Sequence, residues 1–278
     1  IRDFCLSRGL GDVYKRQVHS MNLLNSTSDH MVGLQNFARL AQDSRAWHSL
    51  LVTAIYTVCS VVVETILGLA ISVLLNRSFP GRTTVRALLL IPLVMTPVVV
   101  GLLWRIFYDP NAGIINYMLG LVGLGSHHDW LGNISTALGA LIVTDVWQWT
   151  PFMILIITAG MDALPIEPFE AASIDGASRW QAFQHITLPL LRSTILVAVI
   201  LRTIDSLKTF DTIYVMTEGG PGLATETANL YAYLQGFTYF NVSYATAFAF
   251  AFTVILSIAC TIFVRRFVFS RRIEAKEA

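Results

Sequence analysis

An all-α, polytopic membrane protein is the fold class this sequence predicts, and three observations predict it. The first is composition. Of 278 residues, 54% are hydrophobic and only 13% are charged, and mean hydropathy is +0.60. Counting glycine, the apolar share is about 60%, against about 45–50% for an ordinary soluble domain, and the charged share is about half the usual one. The second is the presence of five apolar runs long enough to cross a hydrocarbon core of about 30 Å, which takes roughly 20 residues per helix. The third is the placement of Lys and Arg, which alternates along the connections between those runs. A disordered chain, a nucleic-acid binder and a single soluble domain are excluded on the same numbers, and a net charge of +1 points to no polyanionic partner. Cys5, Cys59 and Cys260 lie far apart and make neither a disulfide frame nor a metal spacing.

Taken in order, the spans cover about 50–75, 86–107, 136–160, 192–216 and 244–264. The first is broken only by Glu64. The second has no charge between Ala87 and Trp104, and Pro92 and Pro97 should kink it. The third contains Asp145. The fourth is unusually polar, and the fifth carries no charge. Arg77, Arg82 and Arg86 mark the 77–86 connection, and Arg179 and Arg192 the 161–192 connection. Five Lys or Arg residues mark the stretch from Arg265 to Lys276, whereas 109–133 and 217–243 have none. The basic connections, and hence the C-terminus and its tail 269–278, are expected in the cytoplasm, and residues 18–48 outside. Residues 1–17 (IRDFCLSRGLGDVYKRQ) do not fit. They are basic, lack a start Met and have no apolar core. We expect them to be foreign or misassembled sequence standing where a first helix belongs; a native soluble tail is the alternative.

The 161–191 connection includes LPIEPFEAASIDGASRWQAFQHITLP. Within it stand Glu170, Ala171 and Ala172, then Gly176 after three residues, then Ile186, Leu188 and Pro189 after nine more. Acidic Glu167 and Glu170 with Pro168 suit a helix start. Small Ala171 and Ala172 permit close approach, and Gly176 can supply a sharp bend. This pattern resembles the EAA signature of ABC-importer permeases at every defined position. FPGRTTVRALLLIPLVMTPVVVGLLWRIFYDP, DVWQWTPFMILIITAGMDALP and LRTIDSLKTFDTIYVMTEGGPGLATET resemble the sugar-permease branch of that family, which includes maltose and glycerol-phosphate permeases.

The resemblance covers about residues 31–268. It implies a type I permease domain over 49–268, with five of the family's six core helices present. It implies a second homologous permease, a cytoplasmic ATPase dimer that carries the ATP and Mg, and an extracytoplasmic solute-binding protein. It also implies a prokaryotic inner membrane, no cofactor on this chain and no enzymatic activity of its own. The elbow at 161–191 would enter a cleft on the ATPase, with Glu170 meeting a basic residue there. An amphipathic helix lying on the inner membrane surface is the alternative reading of that loop.

Polar residues inside spans mark candidate sites. Arg202, Asp205, Lys208 and Asp211 together cost roughly 10–14 kcal/mol to insert, and the eleven Leu, Ile, Val and Phe residues of that span offset only about 3–7. On a helical wheel Arg202, Ser206 and Thr209 share a face with Asp205 beside them, while Lys208 and Asp211 point elsewhere. Asp145, Trp149 and Phe152 share a face of the third span, with Gln148 at its edge. An acid, an amide and aromatic planes suit a sugar, and we expect both faces to line a solute path. The same side chains would also serve as bonds between helices, and Glu64 is expected to be such a packing acid. His127 and His128 have no spaced partners for a metal, and Gly219–Gly222 lacks the Lys and Ser/Thr of a phosphate loop. Two other functions fit the composition: an importer permease for another solute, such as glycerol phosphate or peptide, and an ion-coupled secondary carrier using Asp145 and Asp205. A carrier would show an internal repeat, and none is visible.

Overall fold

A short hairpin stands at the start of the computed structural model, which describes residues 19–22, 25–31, 34–76, 79–123 and 127–265. The expectations for residues 1–17 and for the tail 269–278 fall outside those residues. Strands β1 (His19–Asn22) and β2 (Asn25–Met31) pair antiparallel, with His19 opposite Met31 and Asn22 opposite Asn25. The sequence reading placed no element there. Helix α1 (Gln35–Gln42) follows, then α2 (Ser44–Leu75), whose 32 residues absorb the longest apolar run. Asp43 starts α2: its Oδ1 accepts from the backbone N–H of Arg45 at 3.0 Å and of Ala46 at 3.2 Å, satisfying donors that the first turn leaves open.

The second expected span is not one kinked helix. It comprises α3 (Arg82–Leu89), α4 (Ile91–Val94) and α5 (Pro97–Phe107), with a 98° bend between Arg82–Val94 and Pro97–Phe107. Proline is the cause. Met95 and Thr96 take extended backbone at ψ 141 and 144, as residues leading into Pro97 prefer. Side chains take up carbonyls at the break. Gln148 Nε2 donates to Met95 O at 3.3 Å, and Thr212 Oγ1 donates to Pro97 O at 3.4 Å.

Helix α6 (Ile114–Leu121) lies in the 109–133 connection, where buried Asn116 ties the loop together. Its amide donates to the carbonyls of Asp109, Pro110 and His128, and its oxygen accepts from Trp130 Nε1 at 2.8 Å. Helix α7 (Ala137–Asp162) forms the third span. After α8 (Glu167–Ile174), α9 (Arg179–Ala182) runs through a π-helical turn at Phe183–Thr187 into α10 (Leu188–Ser206). Pro189 therefore sits inside a helix continuous over Arg179–Ser206, which begins well before the expected start of the fourth span at about 192. The Leu188 N–H bonds back five residues to Phe183 O, and this wider turn sits where the ring of Pro189 crowds the preceding turn. The fourth span was expected to reach 216, but α10 stops at Ser206 and α11 (Asp211–Thr217) begins after a break. Helix α12 (Ala228–Tyr233), a π turn at Leu234–Thr238 and α13 (Val242–Val264) complete the described chain.

Among the described residues four helices are long and apolar enough to cross a membrane, or five if the bent pair is counted as one broken span. The chain divides into two units, 54–225 and the terminal segments 1–53 with 226–278. In the first unit, Met153, Ile157 and Met161 of α7 pack on Leu191 and Ala198 of α10. Glycines set the helix spacing. A Cβ on Gly68 would stand 2.6 Å from Met153 Cβ, and one on Gly160 would stand 2.6 Å from Thr194 Cγ2. Such close approach gains dispersion contacts where the lipid gives no hydrophobic drive. In the second unit, Ala46, Tyr231, Tyr244, Phe248 and Phe252 form the core. Arg45 forks onto Glu226 through Nε at 2.9 Å and Nη2 at 2.6 Å. Asp43 Oδ2 accepts from Tyr231 Oη at 2.5 Å and Tyr244 Oη at 2.6 Å. Burial raises the Asp43 pKa, but these bonds and its backbone bonds outweigh that and hold it below the usual carboxylate value. Tyr231 is pushed up to about 12, by burial first and then by its bond to Asp43.

Candidate functional site

Arg202 is fully buried on α10, and three acids surround it. Its Nε donates to Glu64 Oε2 at 2.7 Å and its Nη2 to Glu64 Oε1 at 3.0 Å. Nη2 also donates to Asp145 Oδ2, and Nη1 donates to Asp205 Oδ2 at 3.1 Å. One side chain thus joins α2, α7 and α10. A lone guanidinium in an apolar bundle is untenable, and ion pairing with satisfied hydrogen bonds is the physical solution. Glu64, read from sequence as a packing acid, makes the bidentate contact.

Next to the cluster, and sharing Asp205 with it, lies a cavity of about 130 Å³. Pro97, Trp149, Asp205, Lys208, Thr209, Phe210, Asp211 and Thr212 line it. Trp149 touches both: Arg202 Cζ lies 4.9 Å from its ring centroid, a cation–π distance, while the indole also borders the cavity. Phe152 meets Trp149 edge to face with centroids 6.3 Å apart, and Phe210 stacks on Tyr214 at 5.4 Å.

The eight residues expected along a solute path therefore separate. Trp149, Asp205 and Thr209 line the cavity. Asp145 and Arg202 belong to the buried cluster and do not line the cavity. Gln148 is buried and bonds Met95 O at the helix break, and Ser206 is buried and donates to Thr57 Oγ1 at 3.3 Å. Phe152 packs against Trp149 and the α7–α10 core. Lys208 and Asp211, expected to point away, line the cavity instead. The wheel assumed helix through Asp211, whereas the backbone leaves it after Ser206. Phe210 and Thr212 carried no signal in the sequence, and Pro97 signalled a kink but not a place in the cavity wall.

The second candidate site is the elbow. Helix α8 begins with Glu167 and Pro168, and Glu170 is in its first turn. Glu170, Ala171 and Gly176 are exposed, and Ala172 is half-buried. Gly176 has φ +73, a left-handed turn that a β-carbon disfavours. Ser178 then starts α9 with a capping box: its hydroxyl accepts from Gln181 N–H, and the Gln181 side chain accepts from Ser178 N–H at 2.7 Å. Ile186 is half-buried in the π turn, and Leu188 and Pro189 are exposed. Ile174 is 87% exposed, and Trp180, stacked on Phe183, is 63% exposed. A rigid acidic elbow that presents bare Ile and Trp is built to be covered by another protein.

A protein-family model described as "Binding-protein-dependent transport system inner membrane component" matches residues 64–274. The chain is 43% identical over 211 residues to the trehalose/maltose transport system permease protein MalF of Thermococcus litoralis, covering 76% of this chain and 70% of that one. It is 32% identical to the trehalose transport system permease protein SugA of Mycobacterium tuberculosis, over 88% of this chain and 78% of that one. A crystal structure of a bacterial ABC transporter involved in import of the acidic polysaccharide alginate shares the fold. Its TM-score is 0.80 at 22% identity, covering 98% of this chain and 96% of the other. The EAA pattern, the apolar spans and the matched family agree: this chain belongs to the inner-membrane components of binding-protein-dependent transport systems, a multi-pass ABC importer permease.

Proposed function

We propose that this permease imports a carbohydrate, handed over by an extracytoplasmic binding protein and driven by ATP hydrolysed on a separate cytoplasmic ATPase dimer. The likeness to MalF at 43% identity is the observation that carries the reading. The cavity chemistry supports it. Indole and phenyl planes from Trp149 and Phe210 suit sugar C–H faces, and Asp205, Lys208, Thr209 and Asp211 offer hydrogen bonds for hydroxyls. A cavity of about 130 Å³ on one chain is half a path, and a second homologous permease supplies the other half. The elbow over 161–191 docks on the ATPase through Glu170, Ala171, Ala172, Gly176, Ile186, Leu188 and Pro189. The basic connections face the cytoplasm, as does the C-terminus.

Trp149→Ala tests the site. In the complete complex reconstituted into vesicles, it should raise the half-saturation concentration for trehalose or maltose several-fold, with binding-protein affinity unchanged. Unaltered uptake by this variant and by Thr209→Trp, which fills the cavity, would assign the path elsewhere.

A further inference from the structure

A second cavity, of about 240 Å³, lies where α3 and α4 meet the end of α7. Leu89, Leu90, Pro151, Ile154 and Leu155 make its walls apolar, and Arg86 stands at its rim with Asp162. Arg82 and Arg86 are one turn apart on α3, each 3.7 Å from an Asp162 oxygen. That is ion-pair range, yet too long for a hydrogen bond. Although the two side chains are about a third exposed, the atoms Arg82 Nε, Arg86 Nε and Arg86 Nη2 are buried and have no hydrogen-bond partner among the described residues. Two guanidinium groups thus share one carboxylate, and three buried donors have no acceptor among the described residues. Leaving charged donors unsatisfied is costly, and a ligand that satisfies them binds with that advantage.

We infer that this is a site for one anionic phospholipid of the inner leaflet, its phosphate on Arg82 and Arg86 and an acyl chain in the apolar cavity. The inference rests on the cytoplasmic orientation of the 77–86 connection proposed above. Phosphate oxygens match guanidinium forks bidentately. The apolar walls select the source, since a free phosphate has no use for a cavity lined by Leu and Ile. The cytoplasmic leaflet offers anionic headgroups at the level where basic residues flank spans.

The test is native mass spectrometry of the purified complex, stripped in neutral detergent and titrated with phosphatidylglycerol or phosphatidylcholine. One phosphatidylglycerol should bind per copy in preference to phosphatidylcholine. Arg86→Gln should weaken this about tenfold or more, and Ala159→Trp, which fills the cavity with both arginines intact, should weaken it too. Phosphatidylglycerol should raise the thermal midpoint of the wild type and not of Ala159→Trp, which keeps the question open if Arg86→Gln folds poorly. Equal binding of both lipids, or binding unchanged in both variants, overturns the site. Displacement by millimolar inorganic phosphate, with Ala159→Trp binding as wild type, also overturns the lipid assignment and leaves a soluble anion site. Labelling of Thr84→Cys from one side of sealed vesicles reports orientation separately, so failure of that premise is told apart from failure of the site.

Discussion

Arg202 and Asp205 belong to one cluster but should behave differently when changed. Arg202 is fully buried, and Arg202→Met would leave Glu64 and Asp145 facing each other without their cation. Breaking a buried pair from one side costs about 3–5 kcal/mol. We expect a large drop in the thermal midpoint and in recovery of folded protein. The Asp205 side chain is 48% exposed, so Asp205→Asn should shift the midpoint little while lowering uptake several-fold. Helical spacing made the Arg202 face legible, but not its main partner. Glu64 lies 138 residues away, and no local period specifies such a contact. Lys208 and Asp211 were misplaced because the wheel was carried past the end of the helix. Asp43 adds a pH dependence. Its pKa is lowered in the folded chain, so its contribution is present above the unfolded value of about 4 and is lost as pH falls through the folded value. Asp43→Asn should cost about 1–3 kcal/mol near neutral pH and flatten the acid end of the stability profile, read by thermal shift across pH. An equal acid loss in wild type and variant would remove Asp43 from that role.

At the scale of elements, the elbow was the most legible part of the chain. Pro168, Glu170 and Gly176 each carry a local backbone or charge preference, which made a helix start and a bend legible, whereas Pro189 lies inside the continuous helix over Arg179–Ser206. The break in the second span was half legible. Pro92 and Pro97 announced a bend, but neither its 98° size nor the Gln148 and Thr212 bonds to carbonyls at the break follow from local preference. The π turns left no sequence signal. Gly176 yields a test at this scale. A branched side chain at φ +73 costs about 1–2 kcal/mol locally, and a Cβ there would meet nothing within 4 Å. Gly176→Val should therefore leave membrane insertion and helix content unchanged while distorting the turn. ATPase stimulation by loaded binding protein should fall several-fold, and Glu170→Ala should act in the same direction. Full coupling in the double variant would make the elbow an ordinary connection.

For the whole molecule, composition and charge alternation fixed the class before any contact was known, because the bilayer allows few solutions for a chain with so little charge. On the proposed reading the path is shared with a second permease and the energy comes from a separate ATPase, so activity is measured in the assembled system. The decisive measurement is uptake of labelled trehalose and maltose into vesicles carrying this permease with its partner permease and ATPase. The account predicts uptake that requires both the loaded binding protein and ATP, and that falls when Trp149→Ala is present. Uptake without binding protein or ATP, driven instead by an imposed proton or sodium gradient, would contradict it.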